Sequence, residues 1–193
     1  MHRTPEFSHL THNLRMKIEY EDDFLLDKFD ISLLSALQND AYATHQTLGE
    51  RVHLSTSQVS RRIARLHASG IIRRYVALLD PAMVGLGVRA VTYVTLARNS
   101  GNEGATFERD IAAFAEVLEC YSVAGEADYI LQIVAPSLAD LSDSVLRRLT
   151  RLAGVSSIRS NIVLQCVKSS TQLPLGHMEQ ANAATRRARL SAA

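Results

Sequence analysis

Residues 55–75 read STSQVSRRIARLHASGIIRRY, from Ser55 to Tyr75. The stretch holds Arg61, Arg62, Arg65, Arg73 and Arg74 and no acidic residue, in a chain whose formal net charge is only +1. Ser55 is a good N-cap, and Gly70 supplies the backbone freedom that ends helices. Between them Val59, Ile63 and Leu66 recur at helical spacing and define one apolar stripe. Ser57, Gln58, Arg61, Ala64, Arg65 and Ala68 then face outward. Such a face suits a DNA major groove. Arg pairs with guanine edges, Gln with adenine, Ser with either, and Ala lies against a thymine methyl. The free N–H groups near Ser55 can meet a phosphate. The plain alternative is a solvated helix face. Against it stand the absence of neighbouring acids in the stretch, the short helix that precedes it, and Arg73–Arg74, placed where a wing touches the DNA backbone. Arg62 flanks the apolar stripe, so it braces the helix or reaches a phosphate rather than reading a base.

Upstream, DKFDISLLSALQND carries Phe29, Leu33, Leu34 and Leu37 at helical spacing, with Asp27 as N-cap. ATHQTLGERVHL is a second short helix, capped by Thr44, with Leu48 and Val52 on one side. Short connectors make the three a helix-turn-helix. Downstream, Ile72–Leu79 changes period and reads as a strand, closed by Asp80-Pro81. From Val88 the pattern is VRAVTYVTLA (strand), ATFERDIAAFAEV (helix, with Phe107, Ile111, Phe114 and Val117 on one side), VLECYSVA and DYILQIVA (strands). LADLSDSVLRRLTRL follows as a helix with Leu138, Leu141, Val145, Leu149 and Leu152 inward, and SSIRSNIVLQCV as the last strand. The expected fold class is α+β: a winged helix-turn-helix over 26–80, a linker over 81–87, and a ferredoxin-like βαββαβ domain over 88–173. Residues 1–25 form a polar extension and 174–193 a loose or weakly helical tail. Met16 is an expected internal translation start.

The 193 residues, 47% hydrophobic and 21% charged, suffice for a packed core in one large or two small domains. No apolar run is long enough to span a bilayer, and the first residues lack the apolar segment of a secretory signal. A cytoplasmic address is expected. Cys120 and Cys166 lie in apolar strand-like runs and read as two buried thiols. Charge is uneven: Arg51–Leu79 has six arginines and no acid, whereas Glu19–Asp30 is acidic.

The stretches LDKFDISLLSALQNDA, LSTSQVSRRIARLHASGIIRRYVALLDPAMVGLG, VAGEADYILQIVA and LTRLAGVSSIRSNIVLQCVK, in that order, resemble the leucine-responsive and asparagine-responsive (Lrp/AsnC) transcription regulators over about residues 26–173. The resemblance implies a regulator of transcription that binds double-stranded DNA. It further implies a dimer joined through its sheets and assembling into tetramers or octamers, with no cofactor but a small effector, an amino acid or similar. By resemblance the effector lies near Ala124, Gly125, Glu126, Ala127, Asp128 and Tyr129, with Ser156, Ser157 and Arg159 as a second wall. Gly125 would let a ligand approach the backbone, and Asp128 would accept from an ammonium. An ordinary hairpin turn is the alternative reading of Gly125 and Asp128. The family often carries an aromatic residue where this chain has Ala127. For DNA, Ser57, Gln58 and Arg61 are expected to read bases and Arg65, Arg73 and Arg74 to hold phosphates. An architectural DNA-organising protein needing no ligand is the rival function.

Other signals fall away. GLGVRA (Gly85–Ala90) matches a dinucleotide pattern but runs into a strand instead of opening a helix. His9 and His12 have no companion ligand, and no cysteine pair has zinc spacing, so no metal is expected. Asp140 and Asp143 suit the first turn of a helix better than a catalytic pair. No nucleophile-bearing turn stands out, and no enzyme activity is expected. Arg186, Arg187 and Arg189 form a basic cluster that could add nonspecific DNA affinity.

Overall fold

A computed structural model of the chain describes residues 26–97 and 102–178. Met16, His9, His12 and the Arg186–Arg187–Arg189 cluster lie outside the described residues. The chain forms two compact units. One contains residues up to 75 and again from 170; the other runs from 76 to 169.

The first unit holds α1 (Lys28–Asn39), α2 (His45–Val52) and α3 (Thr56–Ala68). Each helix starts at the cap expected of it. Asp27 accepts from the N–H groups of Phe29 and Asp30 in a capping box, Thr44 accepts from Thr47, and Ser55 accepts from Gln58 in a second box. Leu33, Leu37, Leu48, Val52, Val59 and Ile63 form its main core. Leu34 is only half-buried, and Ile31 takes a buried place instead. The α2–α3 turn is tight because His53 adopts a left-handed conformation (φ 56°) and Leu54 N–H reaches back to Gly49 O at 2.9 Å. Gly49 is required there, since a Cβ on it would sit 2.5 Å from the Leu54 carbonyl oxygen. Gly70 ends α3 with φ 75°.

Two expectations for this region fail. Ile72–Leu79 forms no strand and pairs with none among the described residues, so the expected wing strand is not found there; Val76, Leu78 and Leu79 are exposed. Among the described residues the helical unit has no strand to supply a ladder. Residues 170–178, expected as the end of a domain and a loose tail, instead strap onto α1. Gln38 Oε1 accepts from Leu173 N–H at 2.6 Å, and the Gln172 amide donates to Asn39 Oδ1 at 2.8 Å. Leu175 and Met178 pack on a second small core of Leu26, Ile31 and Leu66.

The second unit has the order β1 (Val88–Leu96), α4 (Glu103–Ile111), β2 (Val117–Ser122), β3 (Tyr129–Ala135), α5 and β4 (Val155–Ile162). Here α5 denotes a π-helical stretch, Asp140–Leu146, that runs into an α-helical turn, Arg147–Leu149. The sheet is antiparallel in the order β2-β3-β1-β4, the expected ferredoxin-like arrangement. Ala90, Thr92 and Val94 stand opposite Ile133, Leu131 and Tyr129 on the face the helices cover. Phe107, Ile111, Phe114, Leu141, Val145 and Leu149 complete that core. Thr92 is fully buried and satisfied by the Ser160 hydroxyl at 2.7 Å.

Three details depart from expectation. Leu138 is exposed on the first turn of the helical run that leads into α5. β4 stops at Ile162, leaving Leu164 and Val167 outside the ladder and exposed. Cys120 and Cys166 are both exposed, not buried: β2 is an edge strand, and Cys166 lies beyond the end of β4.

Candidate nucleic-acid interface and sensing loop

On α3, Val59 and Leu66 are fully buried and Ile63 nearly so, which turns Ser57, Gln58, Arg61, Ala64, Arg65 and Ala68 outward. The outward side chains nevertheless differ in what they are free to do. Gln58 is committed to its capping box: its Oε1 accepts from Ser55 N–H at 3.0 Å, so only its amide NH₂ faces a partner. The Ser55 and Ser57 hydroxyls lie 3.2 Å apart. Arg61, Arg73 and Arg74 are exposed and make no ion pair or hydrogen bond through their side chains among the described residues.

Arg62 and Arg65 overturn the idea that the arginines have no acidic neighbours. Asp30 on α1 is fully buried. Its Oδ1 accepts from Arg62 Nη1 at 2.7 Å, and its Oδ2 accepts from Arg65 Nη2 and, at 3.0 Å, from Asp27 N–H. Arg62 Nη1 also pairs with Asp27 Oδ2 at 2.8 Å, and its guanidinium lies 5.5 Å from the centre of the Phe29 ring. Arg62 is thus the brace between α1 and α3. Burial opposes its charge, but Asp30 and Asp27 more than offset that and raise its affinity for the proton. For Asp27, burial works against the carboxylate; the N–H groups of Asp30 and Phe29 and the Arg62 charge outweigh it and hold the pKa below the usual value. Asp30 lies 32 residues from Arg62 and 35 from Arg65 in sequence, and the sequence signal that could have found it is its place on the inward side of α1.

In the second unit the expected loop and turn flank one end of β1. Asp128 N–H donates to Val94 O at 3.0 Å, and Val123 N–H donates to Asp128 O. At the register shift between Thr95 and Leu96, the Asp128 carboxylate accepts from Leu96 N–H at 2.7 Å. Asp128 therefore satisfies a backbone group that the irregular ladder leaves over. On the other side of β1, Ser157 is in register with Thr95 and Arg159 with Tyr93. The Arg159 guanidinium lies 5.2 Å from the Tyr93 ring centre, on the sheet face away from the helices. Ala124, Gly125 and Glu126 are exposed, Ala127 is half-buried, and Ser156 and Ser157 are exposed.

Tyr129 belongs to the core and not to an open wall. Its ring packs 4.7 Å from that of Phe107, and its hydroxyl donates to Glu108 Oε1 at 2.8 Å. Burial and the Glu108 carboxylate push its pKa well above the ordinary phenol value. Gly125 has open space where a Cβ would be. The glycine under constraint is Gly154, with φ 83° and the Glu103 side chain 3.0 Å from a would-be Cβ. Gly154 opens the turn expected as the second wall; sequence reading passed over Glu103 and Glu108. Among the described residues no His, Cys, Asp and Glu cluster could hold a metal, and no helix is long and apolar enough to cross a membrane.

Comparison with known proteins agrees with both units. The model of the AsnC-type helix-turn-helix domain matches residues 26–67, and that of the Lrp/AsnC ligand binding domain matches residues 89–173. The glutamate uptake regulatory protein of Zymomonas mobilis is 35% identical over 150 residues, 78% of this chain and 91% of that protein. The leucine-responsive regulatory protein of Rhizobium meliloti is 34% identical over 150 residues, 78% of this chain and 96% of its own length. A Neisseria meningitidis transcriptional regulator, solved as its L-Met complex, superposes with a TM-score of 0.76 at 38% identity, covering 79% of this chain and 99% of that one. The feast or famine regulatory protein of M. tuberculosis, solved with L-methionine, gives 0.68 at 34% identity, covering 77% and 98%. With its helix-turn-helix, its antiparallel βαββαβ unit and these relatives, the chain belongs to the Lrp/AsnC family of transcriptional regulators.

Proposed function

We propose that this protein is a sequence-specific DNA-binding transcription regulator whose DNA affinity is modulated by an amino acid. The observation that carries the DNA half is α3: an apolar stripe locked into the helical core and an opposite face bearing Ser57 and an unpaired Arg61. Arg61 and Ser57, with the Gln58 amide, read base edges; Arg73 and Arg74 hold phosphates. The regulator acts in the cytoplasm as a dimer and higher assembly, by binding rather than catalysis.

The effector site is the end of β1 between residues 124–128 and 156–159. Backbone N–H groups near Gly125 suit a carboxylate, and Asp128, with one oxygen on Leu96 N–H, offers the other to an ammonium. The two relatives solved with L-methionine support an amino acid as the class of ligand. Mechanism is linkage: an effector that prefers one assembly shifts DNA binding by the same coupling free energy, typically ~1–3 kcal/mol.

The test is fluorescence anisotropy with DNA from upstream of the protein's own gene, with and without a pool of amino acids. Selective binding that shifts with the pool is expected. Selective binding with no shift over long footprints would favour an architectural role. Arg61→Ala should cost about 1–3 kcal/mol and relax specificity at one base position; equal loss on every sequence would remove Arg61 from base reading.

A further inference from the structure

We propose that Asp30 is a specificity-determining residue: its buried carboxylate withholds Arg65 from DNA phosphates and so leaves Arg61, Arg73 and Arg74 as the working charges of the interface. The inference rests on the DNA-binding reading above. Four groups on α1 and α3 meet: Asp27 and Asp30 against Arg62 and Arg65. Among the described residues, two carboxylates face two guanidinium groups here. Asp30 is fully buried, and both its oxygens are in use.

A phosphate that captured Arg65 would take a donor from a carboxylate that water cannot reach. A buried charge that loses a partner is penalised far more than an exposed one. The Arg65 side chain is 46% exposed, so it lies near the surface where a phosphate would pass, yet its charge is already spent inward. Exposure alone would enrol Arg65 as a phosphate contact; the pairing argues the opposite.

The functional meaning is discrimination. Phosphate contacts raise affinity for every DNA sequence alike, whereas base contacts raise it for one. An arginine neutralised from behind keeps nonspecific binding low without weakening the base-reading residues a turn away. Asp30 does not touch DNA in this scheme; it acts by holding Arg65.

The readout is the salt dependence of binding, which counts phosphates neutralised and is insensitive to packing. Full-length protein would be titrated with the upstream duplex and with an unrelated duplex of equal length, over a range of salt. Arg73→Ala and Arg74→Ala should each lower the slope of log K against log[salt] by ~0.9. Arg65→Gln, which keeps an N–H donor toward Asp30, should leave the slope unchanged. Asp30→Asn should steepen it by ~0.9 and tighten binding to the unrelated duplex more than to the upstream one. A slope that falls by ~0.9 in Arg65→Gln would overturn the proposal, as would a folded Asp30→Asn with unchanged slope and nonspecific affinity. Should Asp30→Asn fail to fold, Arg65→Gln decides alone. If the wild-type protein shows no salt-dependent binding to either duplex, it is the DNA-binding reading itself that fails.

Discussion

Side-chain caps start every helix of the helical unit but not every helix of the sheet unit. In the helical unit, α1, α2 and α3 each carry a side-chain N-cap, two of them in capping boxes. In the sheet unit, α4 follows Asn102 with no side-chain cap bond, while the run into α5 starts behind Ser137, whose hydroxyl accepts from Asp140 N–H at 3.1 Å. Short helices in a small unit need local signals, because there is little core to hold each end. The uncapped α4, laid across a sheet, is instead located by what it covers, as Phe107 and Ile111 show. The charges divide in the same way. The helical unit ties α1 to α3 through a buried carboxylate, whereas the pairs of the sheet unit, such as Arg147–Asp143 and Arg109–Asp110, lie on its surface and contribute little.

The comparison is most sharply tested at glycine. Gly49→Ala drives a Cβ into the Leu54 carbonyl and should destabilise the helical unit by about 1–3 kcal/mol, read by chemical denaturation. Gly125→Ala meets nothing within 4 Å and should leave stability level or raise it by up to about 1 kcal/mol. Equal effects would mean that the α2–α3 turn is no tighter than the loop after β2. The next test is capping. Ser55→Ala should cost about 1 kcal/mol, and Asn102→Ala close to nothing; similar losses would erase the distinction between α3 and α4.

The smallest effect concerns acid. Asp27→Asn keeps a capping side chain but removes the charge that Arg62 and the two N–H groups favour. The folded carboxyl has a lowered pKa, so its contribution is present above its unfolded value of about 3.9 and is lost as pH falls through the lower folded value. The variant's deficit should therefore be full at neutral pH and fade in acid. A deficit constant from neutral to acid pH would show that the charge has no part in it.

These contrasts also explain what could be read in the sequence. Asp27, Thr44, Ser55 and Gly70 signal their positions through their own backbone neighbours, so the helical boundaries were legible. The βαββαβ order was legible from alternation along Val88–Leu96 and Tyr129–Ala135. What escaped depended on distant partners. Asp30 looks like one more acid in an acidic run until α3 folds against it. Cys120 looks like core because alternation cannot tell an edge strand from a central one. Ile72–Leu79 has strand composition, but composition does not supply a neighbouring strand. Tyr129 belonged to the expected loop by position and to the core by chemistry. Asp128 was recognised as important, though its visible task is to satisfy Leu96 N–H at an irregular ladder.

The strap over α1 carries a consequence for synthesis. The helical unit is interrupted in sequence: its chain leaves at Tyr75 and returns only at Ser170. The seam of Leu26, Ile31 and Leu66 that Leu175 and Met178 cover therefore stays open while roughly a hundred further residues are translated. At about 5–20 residues per second the wait is on the order of 5–20 s. During that time the nascent protein leaves an apolar seam open beside α3, and Leu175 and Met178 complete a core whose other members were made long before.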